Sequence, residues 1–335
     1  TTVNYFWPVW GMFFVGFLLK KMLVHKKINI VEGIAGVLVC VIASSHEQVE
    51  VILFVVFILY GIYLICGKSK KMPLVQDSAG STLTDKKVIH SNNLYLAGMV
   101  LVNIITLISI LFCPGNAGRN TVSIADLPIF ETYGFGDKLY LGLLSIERVF
   151  IANCDAVFLT VALVLAMLVY VKTDDYKKTI ISALPVLILF GQTAMRTAYP
   201  GLSGLFVMPQ EITEWSWGTL STWLPMVYLA VTVAAMLYAL WIILGEQPIE
   251  YIYALLMLGC GFGAGMILGF MATIYVSGER VYITLYFILL FVTMFCIYRM
   301  ADAVEEKLKQ TGGKLAVTLL ALICLINIGF VTLSC

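Results

Sequence analysis

The sequence predicts an all-α, polytopic integral membrane protein with about ten transmembrane helices. Of its 335 residues, 61% are hydrophobic and only 12% are charged, whereas soluble domains average about 45–50% and about 25%. Apolar windows of about 20 residues, the length that crosses a bilayer core of about 30 Å, recur along the whole chain. This composition excludes a soluble globular domain.

Ten apolar windows predict the spans. They cover residues 4–24, 28–45, 49–67, 93–113, 149–171, 178–195, 221–244, 251–276, 281–300 and 315–333. The mixed, aromatic segment 121–147 predicts one or two short interfacial or re-entrant helices on the outer side. No connection is long enough for a separate soluble domain, so residues 1–335 are predicted to form a single transmembrane domain.

The basic residues predict the orientation. One set of alternate loops contains sixteen of the 21 basic residues, namely Lys20, Lys21, Lys26, Lys27, Lys68, Lys70, Lys71, Lys86, Lys87, Lys172, Lys177, Lys178, Arg299, Lys307, Lys309 and Lys314. The positive-inside rule assigns these loops to the cytoplasm, and both ends of the chain to the outside. The net charge of +1, with no basic stripe, indicates no nucleic-acid partner.

The few basic residues of the outer loops are mostly arginines. They are Arg119, Arg148, Arg196 and Arg280, together with Lys138. The planar guanidinium donates two parallel hydrogen bonds to a phosphate or carboxylate, so these residues predict an anion site on the outer side. The alternative is that each arginine pairs with a nearby acid or extends toward lipid headgroups.

The short connection between the second and third windows contains ionisable residues that a simple turn does not require. It contains His46, Glu47 and Glu50 at the edge of the hydrocarbon, where ionised groups are costly and usually functional. His46 and Glu47 are candidates to bind a divalent cation, or Glu47 to act as a general base. The alternative is a polar hairpin in which Glu50 caps the next helix.

A second candidate site follows the fourth window, in the segment Cys113–Asn120. Proline ends the helix, two glycines permit left-handed backbone, and Asn116 can bond its own backbone. Such a turn can present successive N–H groups to an anion, with Arg119 beside it. The alternative is an ordinary helix-stop turn.

A third candidate lies between the eighth and ninth windows, where Glu279 and Arg280 occupy a tight outer turn. They either compensate each other or place Arg280 against a phosphate at the membrane surface. Glycines recur in the eighth window, and their spacing predicts close helix contact, including a pair at Gly265 and Gly269. They do not form a nucleotide loop, because no strand precedes them.

These residues, taken in order, resemble those of a known class of enzymes. Uncharacterised bacterial polytopic proteins have a similar order of segments. In this chain the order is the acidic turn at His46-Glu47-Gln48, the segment from Pro114 to Arg119, and Glu279-Arg280 before a late helix. Those proteins are similar to GtrII-like and wider GT-C membrane glycosyltransferases that use lipid-phosphosugar donors. The resemblance spans most of the chain, and its most specific element is the Pro-Gly-Asn-x-x-Arg segment.

The resemblance implies an enzyme of the bacterial plasma membrane that moves a sugar from a polyprenyl-phosphate donor to a glycan or lipid acceptor of the cell envelope. His46, Glu47 and Glu50 would then be catalytic. Donor phosphate or substrate would be bound by Asn116, Arg119, Arg148, Arg196, Glu279 and Arg280. A divalent cation, Mg²⁺ or Mn²⁺, is open as a cofactor, and no metal ligand is assigned.

The parity of the predicted spans departs from this family. Its essential acid usually follows a first helix that starts in the cytoplasm, whereas this chain starts outside. The resemblance therefore leads us to expect another helix and an acidic outer loop before Thr1, unless Glu47 and Glu50 take the place of that acid.

Two other functions remain open. A polysaccharide polymerase or ligase would use outer arginines on a lipid diphosphate donor. A transporter or flippase for a lipid-linked or anionic substrate would need ionisable groups inside the membrane and broken helices. Of the predicted span interiors, Asp155 is the main place where such a group occurs.

Overall fold

The computed structural model describes residues 3–23, 26–69, 86–113, 128–198, 217–218, 220–275 and 279–309. Within these ranges the chain forms helices and turns and contains no strand, which confirms the all-α class. The chain divides into two compact units, Thr1–Asp126 and Leu127–Cys335, which are treated one at a time. The window 315–333 lies outside the described residues.

The first unit contains four described helices. They are α1 (Val3–Leu23), α2 (Ile30–Ala43), α3 (Glu47–Ser69) and α4 (Lys86–Leu111). Helix α2 contacts both α1 and α4 through glycines, because a Cβ on Gly36 would lie 2.5 Å from Leu18 of α1 and one on Gly33 would lie 2.4 Å from Tyr95 of α4. The other face of α2 exposes large apolar side chains, as expected of a helix that contacts lipid.

Polar side chains organise one end of this unit, here called its lysine end. Asn29 caps α2 by accepting from the Glu32 N–H at 2.7 Å, and Glu32 pairs with Lys21 at 2.7 Å. The buried Asn92 of α4 accepts from the Ile28 N–H at 3.2 Å. The connection 44–46 lies at the other end of α2, here called the turn end.

The second unit contains eight described helices. They are α5 (Phe135–Glu147), α6 (Ala156–Thr173), α7 (Tyr176–Ser182), α8 (Leu184–Ala198), α9 (Leu220–Leu244), α10 (Pro248–Ile267), α11 (Ile283–Arg299) and α12 (Ala301–Lys309). A short 3₁₀ turn, Pro128–Thr132, precedes α5. The prediction of short helices within 121–147 is confirmed, because α5 has 13 residues and about 20 are needed to span a bilayer.

The span predicted to begin at residue 149 begins instead at Ala156. Arg148–Ala152 form a π-helical turn, and Cys154 adopts a left-handed conformation with φ of 52°. Asp155 then caps α6 by accepting from the Phe158 N–H at 2.7 Å. Asp155 is therefore at the end of the helix rather than two turns inside it, as the apolar window had suggested.

Glycines bring α5 into close contact with the end of α10. A Cβ on Gly142 would lie 2.3 Å from the Met266 carbonyl oxygen, and one on Gly269 would lie 2.2 Å from the Lys138 carbonyl oxygen. A Cβ on Gly265 would lie 3.0 Å from Ile146 Cδ1. The prediction that Gly265 and Gly269 permit close helix contact is confirmed, and the partner is α5.

Ion pairs join the helix ends at the lysine end of the second unit. Lys172 pairs with Glu246 at 2.8 Å, Arg299 pairs with Glu250, and Lys307 pairs with Asp174 at 2.8 Å. The bonds from Lys172 also hold the pKa of the Glu246 carboxyl below its usual value. These contacts fix the connections after α6, α9 and α11.

Several helices are long and apolar enough to cross a membrane. Five pass this test in the described part of the chain, with apolar stretches Phe6–Leu23, Ser91–Ile110, Ala156–Thr173, Thr222–Leu244 and Pro248–Phe270. A sixth is possible if α11 and α12, which meet at a bend of 65°, count as one span. The chain is thus a helical membrane protein, whereas the number of about ten spans stays a prediction.

Candidate functional site

The turn end of the first unit brings His46, Glu47 and Glu50 together. The turn at residues 44–46 connects α2 to α3, and the His46 carbonyl accepts from the Glu50 N–H at 2.9 Å. His46 therefore directly precedes α3, and Glu50 lies in the first turn of that helix. These three residues belong to the nine predicted site residues, and they form one local cluster in this unit.

The two acids of this turn have opposite environments. Glu47 is half-buried and forms no hydrogen bond or ion pair with a described residue. Glu50 is fully buried, with an exposed fraction of 0%, and its backbone carbonyl accepts from Asn103 Nδ2 of α4 at 3.4 Å. The turn therefore offers one accessible carboxylate and one shielded from solvent, and Glu50 lies in the first turn of α3, as the alternative of a helix cap also expects.

His46 is half-buried beside these acids. Burial lowers the pKa of its imidazole from the usual value, because the charged form loses hydration. A neutral imidazole at neutral pH can accept a proton or donate one. The folding free energy that follows from this shift is fully present above the unfolded pKa of about 6.5 and is lost as the pH falls below it.

A polar cluster occupies the end of the second unit opposite its lysine end, here called the aromatic end. The Tyr286 hydroxyl donates to Asp155 Oδ2 at 2.8 Å, and the Tyr282 hydroxyl donates to Ser145. Phe150 packs against both tyrosine rings, with centroids 5.9 Å and 4.7 Å away. The π-helical turn and the left-handed Cys154 lie within this cluster, and such irregular backbone is frequent at functional sites.

Arg148 starts the π-helical turn and is exposed. It forms no ion pair with a described residue, and its charge interacts with the Tyr282 hydroxyl. The accompanying Glu147 points the other way and is 2% exposed, with Gln192 Nε2 of α8 donating to its carboxylate at 3.3 Å. The dipeptide thus presents a cation outward and an acid inward.

An elongated apolar groove runs along α9 from the aromatic end. Its volume is about 720 Å³, within the range of about 300–1,000 Å³ typical of ligand sites. Along α9 it extends from Trp223 to Leu237, which at 1.5 Å per residue is about 20 Å. Its walls come from α5, α9 and α10, and it opens to the surface beside Ala230 and Gly259, which are exposed.

Aromatic rings and one carboxylate surround the start of this groove. Trp217 and Trp223 are 44% and 49% exposed, with ring centroids 5.6 Å apart. Trp217 Nε1 donates to Asp137 Oδ1 at 3.2 Å, and its ring meets Tyr140 edge-on at 5.1 Å. The combination of exposed indole faces with a neighbouring carboxylate suits a ligand that has both apolar faces and hydroxyl groups.

The remaining predicted site residues are only partly described. Asn116 and Arg119 lie outside the described residues. Arg196 is in α8, one turn after Gln192, and Glu279 and Arg280 begin the 3₁₀ turn Glu279–Tyr282 that leads to the aromatic end. For these three the structure gives the backbone position.

Sequence reasoning missed several members of the buried polar clusters. Gln192 is 3% exposed inside an apolar window, and a lone amide in such a window was the available signal. Tyr140, Tyr282 and Tyr286 gave no signal, since tyrosine is frequent at membrane interfaces. Their roles follow from partners that are 82, 137 and 131 residues away in sequence.

Metal ligands do not gather in the described part of the chain. No three His, Cys, Asp or Glu side chains there could hold an ion together. Glu47 is an accessible carboxylate of the kind that binds Mg²⁺ together with a substrate phosphate.

Comparison with protein-family models, with curated proteins and with solved structures yields no significant match.

Proposed function

We propose that this chain is a membrane glycosyltransferase that moves a sugar from a polyprenyl-phosphate donor to a glycan or lipid acceptor at the outer face of the cell membrane. The observation that carries this proposal is the apolar groove along α9, which starts among exposed tryptophans and runs about 20 Å parallel to the helix. A donor of this class has the same two parts, a long hydrocarbon chain and a polar sugar phosphate.

The groove suits a hydrocarbon chain in shape and chemistry. Its walls are formed by apolar and aromatic side chains and by glycine, such as Leu229, Val233 and Phe262. Because it opens sideways beside Ala230 and Gly259, a chain can move into it from the bilayer. Lipid tails are as apolar as leucine, so the fit rests on packing within the groove rather than on removal from water.

The aromatic end suits the polar part of the donor. The indole faces of Trp217 and Trp223 can stack on a sugar, while Asp137 accepts from its hydroxyls. Arg148 is the exposed, unpaired cation of the described residues at this end, and its fork is matched to phosphate oxygens. Arg196 lies near the end of α8, and Arg280 lies in the 3₁₀ turn that precedes α11. Together with Arg119, they remain candidates for the same role.

The proposed reaction is direct displacement at the anomeric carbon. The acceptor hydroxyl forms the new bond to that carbon, the bond to the donor phosphate oxygen breaks, and the lipid phosphate leaves with the electron pair. A carboxylate takes the hydroxyl proton, which is general base catalysis, and arginine stabilises the charge on the leaving phosphate. Glu47, accessible and without a partner among the described residues, is the predicted base.

The groove can be tested by filling it. Ala230→Trp is expected to lower the apparent affinity for the polyprenyl-phosphate sugar about tenfold or more, because an indole must displace the lipid or cost about 1–3 kcal/mol of overpacking. The measurement is sugar transfer by purified protein in nanodiscs across a range of donor concentrations. Ala234→Trp is the control, since Ala234 is also exposed on α9 but does not line the groove. Equal donor affinity in both variants would remove the groove from the site.

The orientation is a further part of this proposal. By the positive-inside rule, the loops with Lys20, Lys177 and Lys307 would face the cytoplasm, and those with Glu47 and Arg280 would face outside. In intact cells, a membrane-impermeant thiol reagent is expected to label a cysteine placed at Glu131 and not one placed at Lys309. The opposite pattern would contradict both the orientation and an outer-face reaction.

A flippase or transporter is the second candidate, favoured by Glu50 and Glu147, which are buried carboxylates in a helical membrane protein. The groove could hold a lipid-linked substrate in either case. Transfer of labelled sugar to an acceptor distinguishes the enzyme from movement of the intact donor between leaflets of a vesicle. A polymerase or ligase would require a diphosphate-linked donor in the same assay.

A further inference from the structure

We propose that the turn between α2 and α3 is the floor of a polar recess in the membrane, where water reaches Glu47 at a depth at which the neighbouring helices still contact lipid. This inference does not rest on the proposed glycosyl transfer, because it concerns the position of the turn and not the reaction. It concerns the first unit alone.

Helix α1 extends past the turn on one side. The contacts between α1 and α2 are those of antiparallel neighbours, and a Cβ on Gly11 would lie 3.1 Å from Ala43 Cβ. Eight residues of α1, Val3–Trp10, precede Gly11, and at 1.5 Å per residue they extend about 12 Å beyond Ala43. The turn at residues 44–46 rises by about 5 Å, one helical pitch, so α1 continues about 7 Å beyond it.

Helix α4 extends past the turn on another side. Asn103 Nδ2 donates to the Glu50 carbonyl at 3.4 Å, which places these two residues at the same height. Eight residues of α4 follow Asn103 and extend about 12 Å further. Helix α3, in contrast, begins only three residues before Glu50, which is about 5 Å. The end of α4 therefore also lies about 7 Å beyond the start of α3.

The projecting ends of α1 and α4 have the character of helices inside a membrane. Their apolar stretches continue to Phe6 and to Ile110. The projecting part of α1 exposes Trp7 and Trp10, and exposed tryptophans mark the boundary between membrane and water. The projecting part of α4 exposes Ile108. The membrane surface thus lies near these ends and beyond the turn.

The length of α2 leads to the same conclusion independently. Helix α2 has 14 residues and is about 21 Å long, whereas the hydrocarbon core of a bilayer is about 30 Å thick. One face of α2 contacts lipid along its length through the exposed side chains of Ile30, Val31, Ile34, Leu38, Val41 and Ile42. The exposed Lys26 and Lys27 keep the lysine end at the membrane surface. The end that lies below the surface is therefore the turn.

The side chains of the turn suit contact with water rather than with acyl chains. Ser45 is exposed, and its hydroxyl donates to the Ile42 carbonyl at 2.6 Å, which leaves its oxygen open to accept from water. The Glu47 side chain is half-buried. An ionised carboxylate against hydrocarbon is costly, and such groups in membrane proteins face water-filled cavities. A hydrated recess avoids this cost.

Thiol reactivity at two matched positions tests the proposal. Ser45→Cys places a thiol on the floor of the recess, and Ile108→Cys places one on the lipid-facing side of α4. Both positions lie five residues beyond the contact of Asn103 with Glu50, so their heights are similar. The full chain in nanodiscs, which expose both membrane surfaces, is treated with a membrane-impermeant methanethiosulfonate, and mass spectrometry of the peptides measures the rate at each site. Ser45→Cys is expected to react about tenfold faster or more, because the reactive thiolate forms in water and is suppressed in apolar surroundings.

The thickness of the bilayer provides a second measurement. When dioleoyl phosphatidylcholine is replaced by the thinner dimyristoyl lipid, the membrane surface approaches Ile108, so Ile108→Cys should gain reactivity while Ser45→Cys changes little. Rapid reaction at both positions in the thicker bilayer would place the turn above the membrane surface. Slow reaction at both would place it against lipid without water. Either result, or an Ile108→Cys rate that does not depend on thickness, would overturn the proposal.

Discussion

Replacing Glu47 by glutamine is expected to slow sugar transfer by about 10²–10⁴-fold, the contribution typical of a general base. The side chain is half-buried and has no partner among the described residues. Glutamine keeps its size and hydrogen bonding and removes the charge. The fold should therefore tolerate the change, because a partly exposed carboxylate without a described partner contributes under about 1 kcal/mol to stability.

The measurement is sugar transfer from a polyprenyl-phosphate donor at matched melting temperature. Glu305→Gln is a suitable control, since Glu305 is an exposed carboxylate whose described pair, Lys309, is a surface contact at the lysine end. Near-normal activity of Glu47→Gln would exclude the turn from catalysis. It would then direct attention to Asp137 of the aromatic end, where a carboxylate already accompanies the groove.

The substitution Gly269→Ala is expected to destabilise the protein severely. The added Cβ would lie 2.2 Å from the Lys138 carbonyl oxygen, 2.4 Å from the Gly142 nitrogen and 2.8 Å from the Gly142 Cα, and all three are backbone atoms of α5. Backbone cannot rotate aside as a side chain can, so α5 and the end of α10 must separate. Overpacking costs about 1–3 kcal/mol where side chains absorb it, and we expect a loss at or above the top of this range.

The control for this prediction is Gly263→Ala on α10, where nothing lies within 4 Å of the new Cβ. That variant should be unchanged or slightly more stable, since alanine favours a helix over glycine by about 1 kcal/mol. Thermal unfolding in one detergent measures both variants. A melting temperature for Gly269→Ala equal to that of Gly263→Ala would show that the two helices do not approach each other this closely.

Hydrophobicity predicted where most of the helices lie and missed where some of them begin, such as α4, which starts at Lys86 rather than at residue 93. The windows 4–24 and 28–45 coincide with α1 and α2 to within two residues at each end, because an uninterrupted apolar run has no other stable form in a bilayer. Helix α6 starts seven residues later than its window, since Val149, Phe150 and Ile151 are apolar but form a π-helical turn. Apolar character does not distinguish an α-helix from such a turn, and Cys154 gives no hint of its left-handed conformation.

Charged residues at unusual positions made part of the candidate site predictable. The parts that depend on contacts between residues far apart in the sequence were not predictable. The turn was predictable as a candidate because a simple connection does not require His46, Glu47 and Glu50. The sequence does not show that Glu50 is buried next to Asn103. The contact between Glu147 and Gln192 joins residues 45 positions apart. The groove lies between three helices, of which α5 and α10 approach each other through glycine, and their arrangement is not visible in any one segment.

The ion pairs of the second unit determine where its helices can move apart. Lys172 with Glu246, Arg299 with Glu250 and Lys307 with Asp174 all lie at the same end and connect α6, α9, α10, α11 and α12. Helices restrained at one end can separate at the other, where the groove begins. Because α5 and the end of α10 stay in contact there through Gly142 and Gly269, the separation falls between α9 and these two helices. A lipid could thus be admitted from the side by a splaying motion that leaves every one of these ion pairs intact, and raising the salt concentration, which screens them, would loosen the restrained end without altering the groove's apolar walls.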